Sequence, residues 1–415
     1  MGAHLIRQAH AAPARSAAGG DLAALACSAR AAGRIAVDTE FMSEGRYLPL
    51  LCLVGVAVPA MRDAGLVERA ELIDSLDETV DVTPLAEVLA DPDVQVVVHA
   101  GRQDVALLRR AWRTEVRNLF DTQIAAGFAS FGAQTSYGGL LADVLGLRLA
   151  KSASFTRWDV RPLTAEQVAY ARDDVVPLLS LAGELERRLA TSGRLEWARE
   201  ECRRLEGASD ERDPGLVWQR LPKIGQLSPA ARAVARELAA WRERTAAGGD
   251  RPVGSVLPDA PLIEVAKRRP TTVQALERIR GIQPSTLRRR ADAILAAVER
   301  GLVAQPLVLE NGERLDSSPA DSPLIALAEA LVRARALEAG LAYELVAARY
   351  DLAQIVSAVR RGRPEPQVRT LQGWRRNLVG AELLDLLAGE RVLSVGPSGR
   401  VTIASRGGGS GDAAS

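Results

Sequence analysis

The chain has 415 residues, 47% of them hydrophobic and 25% charged, with a net charge of +1. That length exceeds the ~250–300 residues at which one hydrophobic core stops growing, so two or three domains of ordinary globular composition are expected. Cys27, Cys52 and Cys202 are too few and too scattered for a disulfide framework or a zinc knuckle, and no apolar run nears the ~18 residues of a membrane helix.

The opening "MGAHLIRQAH" lacks the apolar stretch of a signal peptide, and Ile6 breaks the acylation pattern that Met-Gly would otherwise suggest. A cytoplasmic protein with neither a membrane nor an obligate protein partner is expected. The near-neutral total hides an uneven distribution. Residues 60–93 carry ten acidic side chains against two Arg, residues 261–300 nine basic against four acidic, and residues 330–376 nine Arg against four acidic. Arg-rich segments of this kind read either as polyanion-binding modules or as solvated helix faces.

After an Ala-rich start, "RIAVDTEF" (34–41), "LPLLCLVGVAV" (48–58) and "RAELIDSL" (69–76) read as strands. A helix over "VTPLAEVLAD", capped by Asp81 or Thr83 with Pro84 in its first turn, precedes a fourth strand, "VQVVV". Helices are expected over "RQDVALLRRAW", over "SYGGLLADVLG", and from "LTAEQVAYARDD", where Thr164 and Gln167 have the spacing of a capping box. The natural result is a mixed sheet packed by helices. "EGASDERDPG" is a polar connector, and helices then open at Ser228-Pro229, at Asp259, at Thr271 or Thr272, and near Pro284. A second connector, "NGERLDSSPADSP", leads to an Arg-rich helical block over about 322–390 and a small hairpin around Gly396–Gly399. The tail "RGGGSGDAAS" is expected to be disordered.

Asp38 and Glu40 interrupt an otherwise apolar strand at alternate positions, so both carboxylates project from one face while Val37 and Thr39 face the other way. Such a pair repels unless a cation sits between its members, and a divalent metal is the simplest one. "VVVHAGRQDVALL" ends a strand at His99 and turns into a helix whose first turn carries Asp104. In "YARDDVVPLL", Tyr170 and Asp174 are four apart and share a helix face, Asp173 is the weaker rival, and Pro177 should bend the helix just beyond them. Asp38, Glu40, Asp104 and Asp174 would make an oxygen-rich site for two Mg²⁺ or Mn²⁺ ions. Such a site suits hydrolysis of a phosphodiester, with Tyr170 placing the attacking water.

Asp38-Thr39-Glu40, His99-Ala100-Gly101-x-x-Asp104 and Tyr170-x-x-x-Asp174 resemble the three motifs of the DEDD exonucleases, in their Tyr-containing subgroup. With "FDTQIAA" and "KSASFTRWDVRPLTAEQVAYARDDVVPLL" the chain is similar to the ribonuclease D family. "LSPAARAVARELAAWRE" and "VLPDAPLIEVAKRRPTT" resemble an HRDC domain, and "GWRRNLVG" a segment found in a second one. The resemblance implies an α/β, ribonuclease H-like mixed sheet with helices on both faces, followed by two small all-α bundles. The expected boundaries are 25–206 for the exonuclease domain, 213–301 for the HRDC domain, 322–403 for the second such domain and 404–415 for the tail.

It further implies a two-metal 3′-to-5′ exoribonuclease that trims structured RNA, tRNA precursors above all, with Asp38, Glu40, Asp104 and Asp174 at the metals and Tyr170 orienting water. A DNA exonuclease and an inactive nucleic-acid-binding protein are the alternatives. Two departures stand out. Val54-Gly55 replaces a Gln found in many relatives, and Asp173 adds an acid beside Asp174. Phe41, Tyr47 and Trp158 are candidates for stacking on bases, Lys151 and Arg161 for phosphate, and Arg288, Arg289 and Arg290 for an RNA-binding corner. The helical modules are expected to grip RNA, and the exonuclease part to cleave short oligonucleotides without them.

Overall fold

The structure, a computed structural model, describes residues 19–62, 65–131, 135–149, 157–308 and 319–406. Helix α1 (Gly19–Ala32) leads into strands β1 (Arg34–Met42), β2 (Leu50–Arg62) and β3 (Gly65–Asp74), then α2 (Thr83–Ala90), β4 (Gln95–Val98), α3 (Arg102–Ala111) and β5 (Leu119–Asp121). The sheet order is β3-β2-β1-β4-β5. The first three strands are antiparallel neighbours, and β4 and β5 join parallel to β1, so the sheet is mixed as expected.

Alternation along the strands sends side chains into two separate cores. Ala36, Val97 and Phe120 point to one face. Ile35, Val37, Val96, Val98 and Leu119 point to the other, where α1, α2 and α3 cover them. The first face is covered by α4 (Thr122–Phe128), the short α5 (Tyr137–Leu140) with a π-helical turn continuing it to Leu145, α6 (Ala165–Val175), α7 (Leu178–Thr191) and α8 (Leu195–Glu206). The capping box at Thr164 forms: its hydroxyl accepts the Gln167 N–H at 3.2 Å, and the Gln167 side chain accepts the Thr164 N–H at 2.8 Å. Pro177 breaks the chain's course between α6 and α7, directly after the acidic pair.

Beyond the connector, α9 (Pro229–Gly248), α10 (Val253–Val256), α11 (Asp259–Arg268), α12 (Val273–Glu277) and α13 (Pro284–Val303) enclose a core of their own around Leu238, Leu262, Val265 and Ile294. The last block comprises α14 (Asp321–Glu338), α15 (Tyr343–Val346), α16 (Arg349–Arg360), α17 (Gly373–Arg375), α18 (Ala381–Leu387) and the hairpin β6 (Arg391–Val395) and β7 (Val401–Ser405).

This last block is helical as expected, but its apolar side chains run without a break into the sheet's own core rather than forming a separate one. The joint is specific. Trp374 stacks on Trp197 of α8 with ring centroids 5.1 Å apart and meets Phe128 of α4 edge-on at 5.1 Å. Arg375, fully buried, donates to Glu201 of α8 at 2.9 Å and to the Leu345 carbonyl at 2.7 Å. Residues 404 and 405, expected in the tail, belong to β7, and residues 407–415 lie outside the described ones. Among the described residues no helix is long and apolar enough to cross a membrane.

Candidate metal centre

Asp38 and Glu40 have the same strand parity as Ala36 and so project toward α6 and α7. Asp38 pairs across the sheet with Gly55, and Glu40 with Leu53. Gly55, in the Val54-Gly55 pair, sits where β2 meets α6. A Cβ there would lie 3.3 Å from the Ala171 carbonyl and 3.4 Å from Val175, so α6 rests almost on the backbone of β2. That close approach carries Asp174 to the two strand carboxylates: oxygens of Asp38, Glu40 and Asp174 all lie within 4.8 Å of one another. Asp174, not Asp173, is the acid of the "DD" pair in this group.

Asp104 stands apart from the trio. Thr39 has the opposite parity and faces α3, where its hydroxyl donates to Asp104 Oδ1. Asp104 is buried, yet close enough that its charge raises the carboxyls of Asp38 and Glu40. The four-carboxylate convergence expected from sequence is therefore three tight acids and a fourth held by Thr39, because α3 and α6 lie on opposite faces of β1.

The electrostatics identify what the cluster lacks. Burial, reinforced by the neighbouring acids, raises Asp38 well above the usual carboxylate range and pushes Glu40 up to about 8. Burial likewise brings Asp104 and Asp174 to about 6, against the lowering hydrogen bonds from Thr39 and Tyr170 respectively. Among the described residues none of the four forms an ion pair with Lys, Arg or His, so no side chain supplies the counter-charge. Clustered hard oxygen donors without a cationic partner fit Mg²⁺ or Mn²⁺. Tyr170 hydrogen-bonds to the Asp174 carboxylate, as their spacing predicts, and burial followed by the charge of Asp174 raises its phenol well above the ordinary value.

Three residues that sequence reasoning did not single out shape this centre. Tyr137 donates to the backbone carbonyl of Asp174 at 2.8 Å, just where α6 ends, and its ring packs 5.0 Å from His99. Burial lowers His99 to about 4, so its ring is neutral. Thr122 donates to the Val98 carbonyl at 3.0 Å, so its oxygen, 3.0 Å from His99 Nδ1, accepts the imidazole proton. Asp121, fully buried, accepts the N–H groups of Ala100 at 3.1 Å and Gly101 at 2.9 Å in the turn before Asp104. Only "FDTQIAA" hinted at it. Gly101 has no room for a side chain, since a Cβ would sit 2.4 Å from Val98 Cγ2.

The proposed nucleic-acid contacts fare differently. Trp158, 7% exposed, lies in the core under Tyr170 at 6.0 Å between centroids, and so braces the tyrosine instead of offering a face to a base. Arg161 is consumed by structure: it pairs with Asp74 through two nitrogens and donates to the carbonyls of Cys52 at 2.9 Å and Trp158 at 2.7 Å. Tyr47 donates to Glu243 of α9 at 2.8 Å, with Arg212 5.3 Å above its ring, and neighbouring Arg46 pairs with Asp250 at 2.7 Å. It clasps the helical module to the loop after β1. Phe41, at a register shift in the β1–β2 ladder, is partly buried and packs against the core beneath α1, α2 and α3. Lys151 lies outside the described residues. Arg290 donates to the Ser255 and Val256 carbonyls, at 3.3 and 2.9 Å, whereas Arg288 and Arg289 are exposed on α13.

Comparison with known proteins shows the family. Residues 19–190 match a family described as 3′-5′ exonuclease, and residues 231–298 match the HRDC domain. The chain is 35% identical over 365 residues to ribonuclease D of Gluconacetobacter diazotrophicus, covering 87% of this chain and 89% of that one. It is 36% identical over 380 residues to ribonuclease D of a Jannaschia species, covering 90% and 95% respectively. Among solved structures it is similar to Escherichia coli RNase D, "an exoribonuclease involved in structured RNA processing", with 28% identity, a TM-score of 0.77, and coverage of 91% of this chain and 99% of that one. The chain belongs to the ribonuclease D family of 3′-5′ exoribonucleases.

Proposed function

We propose that the protein trims the 3′ ends of structured RNA, tRNA precursors among them, by a two-metal mechanism in which Asp38, Glu40, Asp104 and Asp174 hold Mg²⁺ or Mn²⁺. The observation that carries this reading is the carboxylate group with no cationic side chain paired to it among the described residues. When bound, the ions supply Lewis-acid activation of water and neutralise charge at the departing 3′ oxygen.

The chain's own residues orient and exclude. Tyr170, fixed between Asp174 and Trp158, directs its hydroxyl at the acidic group, where it can hold the attacking water in line. Structured RNA as substrate rests on the likeness to the Escherichia coli enzyme. We assign the exonuclease domain to residues 25–206 and the HRDC domain to residues 213–301. Exposed Arg288 and Arg289 are the HRDC residues for the phosphate backbone, and residues 322–403 serve as a brace for the catalytic part. Three unpaired cysteines accord with a cytoplasmic place of action.

The test supplies Mg²⁺ or Mn²⁺ with 3′-extended tRNA and matched DNA to the protein and to its Asp38→Ala and Asp174→Asn variants. Each substitution should lower RNA trimming by roughly 10²–10³-fold or more. Equal trimming by all three would remove the site, and preference for DNA would reassign the substrate.

A further inference from the structure

The turn His99-Ala100-Gly101 must place Asp104 within a fraction of an ångström, yet it holds its shape against its own preferences. Ala100 has φ of +52°, a left-handed conformation costly for a residue with a Cβ. Gly101 caps α3 without a side chain to do so. What compensates is a single carboxylate from β5. Asp121 accepts Ala100 N–H and Gly101 N–H on one side, and on the other Gln123 N–H at 2.8 Å and Ile124 N–H at 3.4 Å, where it caps α4. It is 1% exposed, and its own backbone N–H is taken by Cys202 Sγ at 3.2 Å. Both carboxylate oxygens of Asp121 are thus engaged in holding backbone, and part of that backbone is the turn that leads to Asp104.

We propose that Asp121 is a positioning residue for the reaction: its buried carboxylate clamps the Ala100-Gly101 turn and so sets where Asp104 stands relative to Asp38 and Glu40. It touches neither substrate nor metal. The inference rests on the assignment of Asp104 to the metal site. Charge-assisted bonds to backbone N–H groups are about twice as strong as neutral ones, which is why an acid rather than an amide suits this position. Asparagine has nearly the same shape, but its NH₂ would confront backbone donors.

The experiment compares the full chain with Asp121→Asn, Asp104→Asn and the double variant, using Mn²⁺ titration followed by electron paramagnetic resonance, and single-turnover and steady-state trimming of 3′-extended tRNA. Asp121→Asn should weaken Mn²⁺ binding by about 10–100-fold, as loss of groups supporting metal ligands does. It should lower kcat by about 10²-fold with KM little changed, as a displaced catalytic group does. The double variant should be no slower than Asp104→Asn alone, because a residue acting through Asp104 has nothing left to position.

Wild-type Mn²⁺ affinity and kcat in Asp121→Asn, or losses that multiply in the double variant, would overturn the proposal. A fully active Asp104→Asn would instead remove the metal-site assignment itself. Should Asp121→Asn not fold, Asp121→Ser carries the same prediction, since serine still caps α4 while falling short of the turn.

Discussion

Replacing Glu201 by Ala tests whether the C-terminal block is part of the exonuclease domain's core. Glu201 accepts from Arg375 at 2.9 Å and from the Trp374 indole at 3.2 Å, and the Arg375 side chain is 1% exposed. Removing one member of a buried pair leaves an uncompensated charge and costs about 3–5 kcal/mol. At about 2–4 °C per kcal/mol for a domain of some 200 residues, melting should fall on the order of 10 °C. Differential scanning fluorimetry and guanidinium titration read this directly. The paired substitution Glu201→Leu with Arg375→Met, which removes both charges, should recover most of the loss. Burial alone would raise the Glu201 carboxyl, but the hydrogen bond and charge of Arg375 hold it below its ordinary 4.5. A depressed acid stabilises above its unfolded pKa and loses that contribution as pH falls through the folded one, so the gap between wild type and variant should close in acid. A Glu201→Ala protein within about 0.5 kcal/mol of wild type would refute the shared core, since only surface changes are that mild. The same joint argues against an exonuclease domain that works alone. A chain ending before α14 would expose Phe128, Trp197 and Glu201, and should aggregate rather than cleave short oligonucleotides.

In the metal-free protein Glu40, raised to about 8, and Asp104 and Asp174, raised to about 6, keep protons that the unfolded chain has lost, so stability should fall as pH rises from about 4 to about 8. Melting in chelator and in Mn²⁺ across that interval checks it: the metal-induced gain should grow with pH, and a constant gain would contradict the raised carboxyls. Tyr170→Phe keeps the ring against Trp158 but loses the hydroxyl, so kcat should drop about 10²-fold with Mn²⁺ affinity preserved. An unchanged kcat would relieve Tyr170 of its role. Gly101→Ala forces a Cβ onto Val98 and should cost about 1–3 kcal/mol, and adding Val98→Ala should restore part of it. Tyr47→Phe removes the hydroxyl bonded to Glu243, leaving Glu243 only its 3.8 Å pairing with Arg212, and should loosen the helical module, seen as faster amide exchange in α9 without loss of metal binding.

Features that depend on neighbours a few residues away were readable from the chain itself. Strand alternation put Asp38 and Glu40 on one face, helical spacing joined Tyr170 to Asp174, and Thr164 with Gln167 announced the start of α6. Backbone geometry alone dictates these relations, and it is the same in every fold. Features that depend on which distant segment arrives could not be read this way. Arg161 and Tyr47 looked available for RNA because Asp74 and Glu243 are 87 and 196 residues away. Asp104 is drawn to Thr39 because α3 covers the other face of β1, and Gly55 matters because α6 lies on it. Arg375 reads as surface charge until Glu201 meets it inside the core. A charged or aromatic side chain has the same local preferences whether it meets water, a nucleotide or a buried carboxylate, so only the packed structure decides which of these it serves.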